Sequence, residues 1–84
     1  MDREEALEKL KNIIRPYVQD QGAFESLSEE TDFINDLKIN SANLVDVILD
    51  IEEKFDILID NESMKQMVNV KEAIGIIEKE LLKE

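Results

Sequence analysis

The feature that most constrains this chain is the period of its apolar residues, which is helical almost from end to end. Ala6, Leu7, Leu10, Ile13, Ile14, Tyr17 and Val18 recur at spacings of three and four and form one apolar stripe. They predict a first helix over residues 2–18. Asp2 can cap its start, and Glu4 and Glu5 suit the positive end of the helix dipole. Pro16 lacks an N–H and its ring crowds the carbonyl of Asn12, so the helix should kink or end there. Leu44, Val47, Ile48, Ile51 and Phe55 define a second helix over residues 41–55. A short third helix over residues 61–67, capped by Asp60 or Asn61, carries Met64 and Met67, with Val68 just beyond. Val70, Ala73, Ile74, Ile77 and Leu81 mark the last helix. Asn69-x-x-Glu72 resembles a capping box at its start, and Lys79 and Lys83 lie at its negative end. Helices this amphipathic must pack on one another. The expected fold is all-α: a four-helix bundle of three main helices plus a short third helix, with a long first loop.

Between residues 19 and 40 the period fades. Gly22 reads as a break. Phe24, Leu27, Phe33, Ile34 and Leu37 are scattered like single anchors pinning a loop to the core. Ser26-x-x-Glu29 fits a capping box, although the match is short. A structureless loop of this length is uncommon in a small domain and points to a function or to a fold that tolerates it.

Composition narrows the chemistry. The 84 residues suffice for a single domain spanning 1–84. Cys is absent, which excludes disulfides, thiolate metal sites and a Cys nucleophile. His is absent too, removing the commonest general base and the commonest metal ligand. No catalytic and no metal-ligating residue is assigned. A net charge of -11 repels nucleic acid and anionic lipid and attracts basic patches on proteins. Acidity of this kind also serves simply to keep a small protein soluble. The apolar content of 43% is too high for a disordered acidic tail. No apolar stretch has the length of a membrane span, and the N-terminus lacks the apolar stretch of a signal peptide. A cytoplasmic monomer is expected.

The stretch from Leu37 to Phe55 departs from simple core logic. At 100° per residue, Ala42, Val45 and Leu49 form a second stripe turned away from the core stripe. Asp46, Glu52 and Glu53 flank it. Such a ridge either marks a partner surface or packs beneath the loop or the short helix, and the pattern admits both. Ser41 opens this helix. Most Ser residues at such positions are caps, yet Asn40 is an equally good cap and would leave Ser41 available in the first turn. A group attached to Ser41 through a phosphate would lie where the dipole and free N–H groups favour an anion. With no His to activate it, Ser41 is not a conventional hydrolase nucleophile; if it reacts, another protein supplies the catalysis.

On these residues the sequence resembles the acyl carrier protein family across nearly its whole length. The family pattern is a Phe and an Asp-Leu in the loop, then Asp-Ser-Leu opening an acidic helix that ends in Glu-Glu-x-Phe. Phe33, Asp36-Leu37, Asn40-Ser41-Ala42 and Glu52-Glu53-Lys54-Phe55-Asp56 occupy these places. Ile59 matches the apolar residue before the third helix, and Val70, Ala73, Ile74 and Ile77 match the closing helix. The resemblance implies that Ser41, flanked by Asn40 and Ala42, receives 4′-phosphopantetheine from coenzyme A through a phosphopantetheinyl transferase. It implies a carrier rather than an enzyme, holding acyl groups as thioesters for enzymes of fatty acid, polyketide or related lipid biosynthesis. It also implies that acyl-transferring and acyl-modifying enzymes dock basic patches on Val45, Asp46, Leu49, Glu52 and Glu53. Asn40 stands where the family has Asp, and Ala42 where it has Leu. These departures imply a dedicated or tolerant transferase and bring a specialised carrier into view. A D-alanyl type of aminoacyl carrier shares the fold and the arm. An unmodified acidic helical interaction module is the competing reading from another class.

Overall fold

Helices form where the apolar period is longest. The computed structural model describes residues 3–82. The first helix, α1, spans Arg3–Ile14 and buries Ala6, Leu10 and Ile14. It is shorter than the period suggests. Residues Arg15–Tyr17 tighten into a 3-10 turn that takes Pro16 into its first positions, where the missing N–H costs least. The expected Asp2 cap and the Lys83 charge lie outside the described residues.

The expected open loop contains a further helix. Helix α2 spans Gln21–Glu25, and Asp20 caps it by accepting the Ala23 N–H at 3.0 Å. Gly22 therefore lies inside a helical turn and does not break the chain. Ser26 ends α2 and opens no helix, so Ser26-x-x-Glu29 is not a capping box. The nearby Ser28 N–H donates instead to Thr31 Oγ1 at 2.8 Å.

Backbone bonds organise the rest of the crossover. Phe33 N–H donates to Val68 O at 3.1 Å and Val70 N–H donates to Thr31 O at 3.1 Å, forming an antiparallel bridge of Asp32 with Asn69. Lys71 N–H reaches Glu29 O at 2.8 Å. A tight turn follows, in which the Asp32 carboxylate accepts the N–H groups of Ile34 and Asn35, and Asp36 Oδ2 accepts that of Asp32. This turn sends Phe33, Leu37 and Ile39 into the core. It leaves Ile34 exposed, so Ile34 is not an anchor; Ile39 takes that place.

Helix α3 spans Ser41–Phe55 and buries Val47, Ile48, Ile51 and Phe55, while Leu44 is half-buried. It ends at Asp56, whose φ of 55° is left-handed, a conformation that Asp tolerates better than most residues. Helix α4 spans Asn61–Gln66, with Asp60 Oδ1 accepting the Ser63 N–H at 2.7 Å. Met67 is buried, Met64 half-buried and Val68 exposed. Helix α5 spans Val70–Leu82, and Asn69 Oδ1 accepts the Glu72 N–H at 2.8 Å, as the Asn69-x-x-Glu72 spacing predicts. Val70, Ala73, Ile74, Ile76 and Ile77 are buried. Helix α1 packs on both α3 and α5, and α4 packs on α5. The fold is the expected all-α bundle, with α2 added to it.

Gly75 sits on the exposed side of α5, and a Cβ built there meets nothing within 4 Å. Gly75→Ala should raise stability by about 0.5–1 kcal/mol by reducing the freedom of the unfolded chain. Urea denaturation of the two proteins checks this.

Tyr17 donates its hydroxyl to Asp50 Oδ2 at 3.1 Å, linking the 3-10 turn to α3. That bond, then partial burial and the Asp50 and Asp46 charges, raise the phenol's pKa from its ordinary 10.0. A raised folded-state pKa stabilises below the unfolded value, and the contribution is lost as pH climbs through the folded one. Tyr17 is the only Tyr in the chain, so its phenolate absorbance is unambiguous. The native midpoint should lie above that of the unfolded protein, and Asp50→Asn should bring the two closer.

Candidate functional site

The head of α3 is placed by the crossover. Leu37 and Ile39 are buried on either side of Lys38, which takes a left-handed φ of 60°. Ile39 N–H is tied to Phe33 O at 3.0 Å, so the chain enters the helix from a fixed point. Asn40 then sits in extended conformation and caps the helix: its Oδ1 accepts the Ala42 N–H at 2.8 Å. Its backbone oxygen accepts from Asn43 at 2.9 Å and Leu44 at 3.0 Å.

Ser41 therefore does not serve as the cap. It is exposed as the first residue of α3. The expectation of free N–H groups beside it needs correcting, because Asn40 takes those of Ala42, Asn43 and Leu44. An anion on Ser41 would be favoured by the helix dipole and by solvent access, without a nest of open donors.

The second stripe of α3 faces water. Ala42 is exposed, Val45 is 49% exposed and Leu49 54%. The ridge thus lies in solvent and does not pack beneath the crossover or α4. Asp46 and Glu53 border it and are exposed. Glu52 differs from them: it is half-buried, and its Oε2 accepts the Ile59 N–H at 2.7 Å. An open groove of about 500 Å³, lined by Asn12, Ile13, Pro16, Asp50, Glu53 and Lys54, lies between the end of α1 and the second half of α3. The bonds of Asp50 and Glu52 are invisible to helical periodicity. The one available signal is Tyr17, an apolar-stripe residue with a polar tip that needs a partner.

The fold and this helix define a class: a small acidic all-α bundle with an exposed serine at the head of a solvent-facing apolar ridge. No family model matches the chain. It is 36% identical to the acyl carrier protein of Coprothermobacter proteolyticus, over 96% of each chain. It is 35% identical to that of Thermotoga maritima, over 94% of this chain and 95% of that one. Its fold matches the solved acyl carrier protein from Enterococcus faecalis with a TM-score of 0.77 at 24% identity, covering 95% of this chain and 99% of that one. The chain belongs to the acyl carrier protein family.

The cap can be tested apart from any cargo. Asn40→Ala should cost about 1 kcal/mol, because the Ala42 N–H loses its acceptor. Asn40→Asp keeps an acceptor and adds negative charge at the positive end of α3, so it should match or exceed the parent. Chemical denaturation at neutral pH separates the two.

Proposed function

We propose that this chain carries acyl groups on a 4′-phosphopantetheine arm transferred from coenzyme A to Ser41 Oγ by a separate transferase. When bound, the arm supplies the thiol that a chain without Cys lacks, and the acyl group rides on it as a thioester. The cargo goes to enzymes of fatty acid, polyketide or related lipid biosynthesis. Ser41 contributes an oxygen and a location. Its Oγ would form the new bond to phosphorus as the P–O–P linkage of coenzyme A breaks and adenosine 3′,5′-bisphosphate leaves, with a base on the transferase taking the hydroxyl proton, since this chain has no His.

The observation that carries this reading is the division of labour at the head of α3: Asn40 caps and Ser41 stays exposed. Chain residues fit the arm in two further respects. The helix dipole favours the phosphodiester's charge. Asn40 is neutral and adds no repulsion beside it. Val45 and Leu49, bordered by Asp46 and Glu53, form the face on which basic patches of the transferase and of acyl-handling enzymes dock. Glu52 belongs to the same turn. Cytosolic localisation and a monomeric state follow as part of the same reading; among the described residues no helix is long and apolar enough to cross a membrane.

The other serines are less suited. Ser63 is buried, Ser26 ends α2, and Ser28 is engaged with Thr31. Incubation with coenzyme A and a phosphopantetheinyl transferase should add the mass of one arm to the intact chain. Ser41→Ala should gain nothing while its far-UV CD spectrum stays helical. Modification of the mutant would show that another residue is the acceptor. A wild type that no transferase modifies would instead support the unmodified interaction module.

A further inference from the structure

Glu52 and Glu53 are neighbours near the end of α3, but their surroundings differ. Glu53 is exposed. Glu52 is half-buried, with its Oε2 on the Ile59 N–H at 2.7 Å. Its backbone oxygen accepts the Ile57 N–H at 3.0 Å and the N–H of Asp56. One residue thus holds the segment after α3 at three points. Ile57 and Ile59 are both 6% exposed, whereas Leu58 between them is 83% exposed. With its neighbours turned inward and the chain pinned at Ile57 and Ile59, Leu58 is held out in water. Glu52 lies about one helical turn beyond Leu49. Leu58 follows the ridge residues Ala42, Val45 and Leu49 in the chain and stands one residue before the Ile59 amide that Glu52 holds.

We propose that Glu52 is a positioning residue of the docking face, fixing the segment after α3 so that Leu58 extends the apolar ridge. Asp46 and Glu53 supply the charge that draws the partner in. The inference rests on the reading of Ser41 and α3 as a carrier site. The occupant is a basic enzyme surface with an apolar centre, since the ridge is apolar, its border is acidic and the chain carries a net charge of -11. Glu52 acts through its acceptor oxygen, and Glu53 through its charge. A glutamine at position 52 keeps an acceptor oxygen and loses the charge; an alanine loses both.

Two measurements separate these roles: hydrogen exchange at the Ile59 amide of the unmodified protein, and the rate of Ser41 modification by a phosphopantetheinyl transferase with coenzyme A. Glu52→Ala should speed Ile59 exchange by about tenfold or more and slow modification. Glu52→Gln should rescue both. Glu53→Gln should leave Ile59 exchange alone and slow modification at low salt, with the deficit fading as salt rises. Leu58→Ser should slow modification at every salt concentration while the Ile59 amide stays protected. Unchanged Ile59 exchange in Glu52→Ala would overturn the inference. So would a Glu52→Gln protein as slow and as salt-sensitive as Glu53→Gln, or a Leu58→Ser protein modified at the parent rate. In each of these cases the wild type is still modified and only the inference falls. A wild type that no transferase modifies overturns the carrier reading and the docking role with it.

Discussion

Two backbone hydrogen bonds at 3.1 Å, from Phe33 to Val68 and from Val70 to Thr31, join the crossover to the head of α5. Much of the molecule depends on that join. A chain of 84 residues has a small core, so each large side chain it buries carries a sizeable share of the stability. Phe33, Leu37 and Ile39 are all buried, and all come from the crossover. Burying each contributes about 1.5–3 kcal/mol, against a backbone ordering cost of about 1–2 kcal/mol for every residue of the segment. The burial alone does not hold an irregular segment in one shape. The bridge of Asp32 with Asn69 and the Asp32–Asp36 turn satisfy the backbone groups that burial would otherwise strand. The same bonds fix Ile39, and through Ile39 the point where α3 begins.

Charge is distributed with equal consequence. Arg3 bridges Glu29 of the crossover and Glu78 of α5, each at 3.0 Å, and Lys9 and Lys11 pair with Glu5 and Glu8 along α1. Lys9 also lies 5.7 Å from the centre of the Phe55 ring. Exposed pairs of this kind contribute about 0–1 kcal/mol each, so they do not hold the bundle together. What they decide is where Arg3, Lys9 and Lys11 are spent. These pairs gather on α1 and its neighbours, and none of them reaches Asp46 or Glu53. The ridge of α3 is left with an acidic border. Like charge gathered on one face is a burden to an isolated fold, and under the proposed carrier reading a basic partner would relieve it on docking.

The sequence made the long helices legible because each repeats its period over several turns. The 41–55 stripe coincides with α3, and Asn69 marks the start of α5. Helix α2 was not legible, because five residues cannot show a period and Gly22 argues against them; the only signal was Asp20, a cap without a visible helix. The choice of anchor was hidden for a different reason. Ile34 and Ile39 are equally apolar, and the turn built by Asp32 and Asp36 decides which goes inward. Pattern alone also left the α3 ridge open between exposure and packing. Its solvent exposure depends on where the crossover and α4 lie, which bonds between distant residues determine. Glu52 was misleading in its own way: on a helical wheel it matches Glu53, and only the Ile59 N–H tells them apart.

The two ends of α3 follow one logic. A serine that caps a helix must hold its oxygen toward the N–H groups of the first turn, and esterifying that oxygen would disturb the cap. Asn40 removes the conflict, because its Oδ1 and backbone oxygen serve the first turn whatever state Ser41 is in. A carrier passing through unmodified, bare-arm and loaded states would then keep the same helix throughout. At the far end, Glu52 closes the last turn onto Ile57 and Ile59, and the segment does not depend on a partner for its shape. Each end is thus secured by a residue next to the proposed docking surface. That leaves Ser41, Val45, Leu49 and Glu53 with no structural task that exposure would compromise, which is the condition for offering them to other proteins.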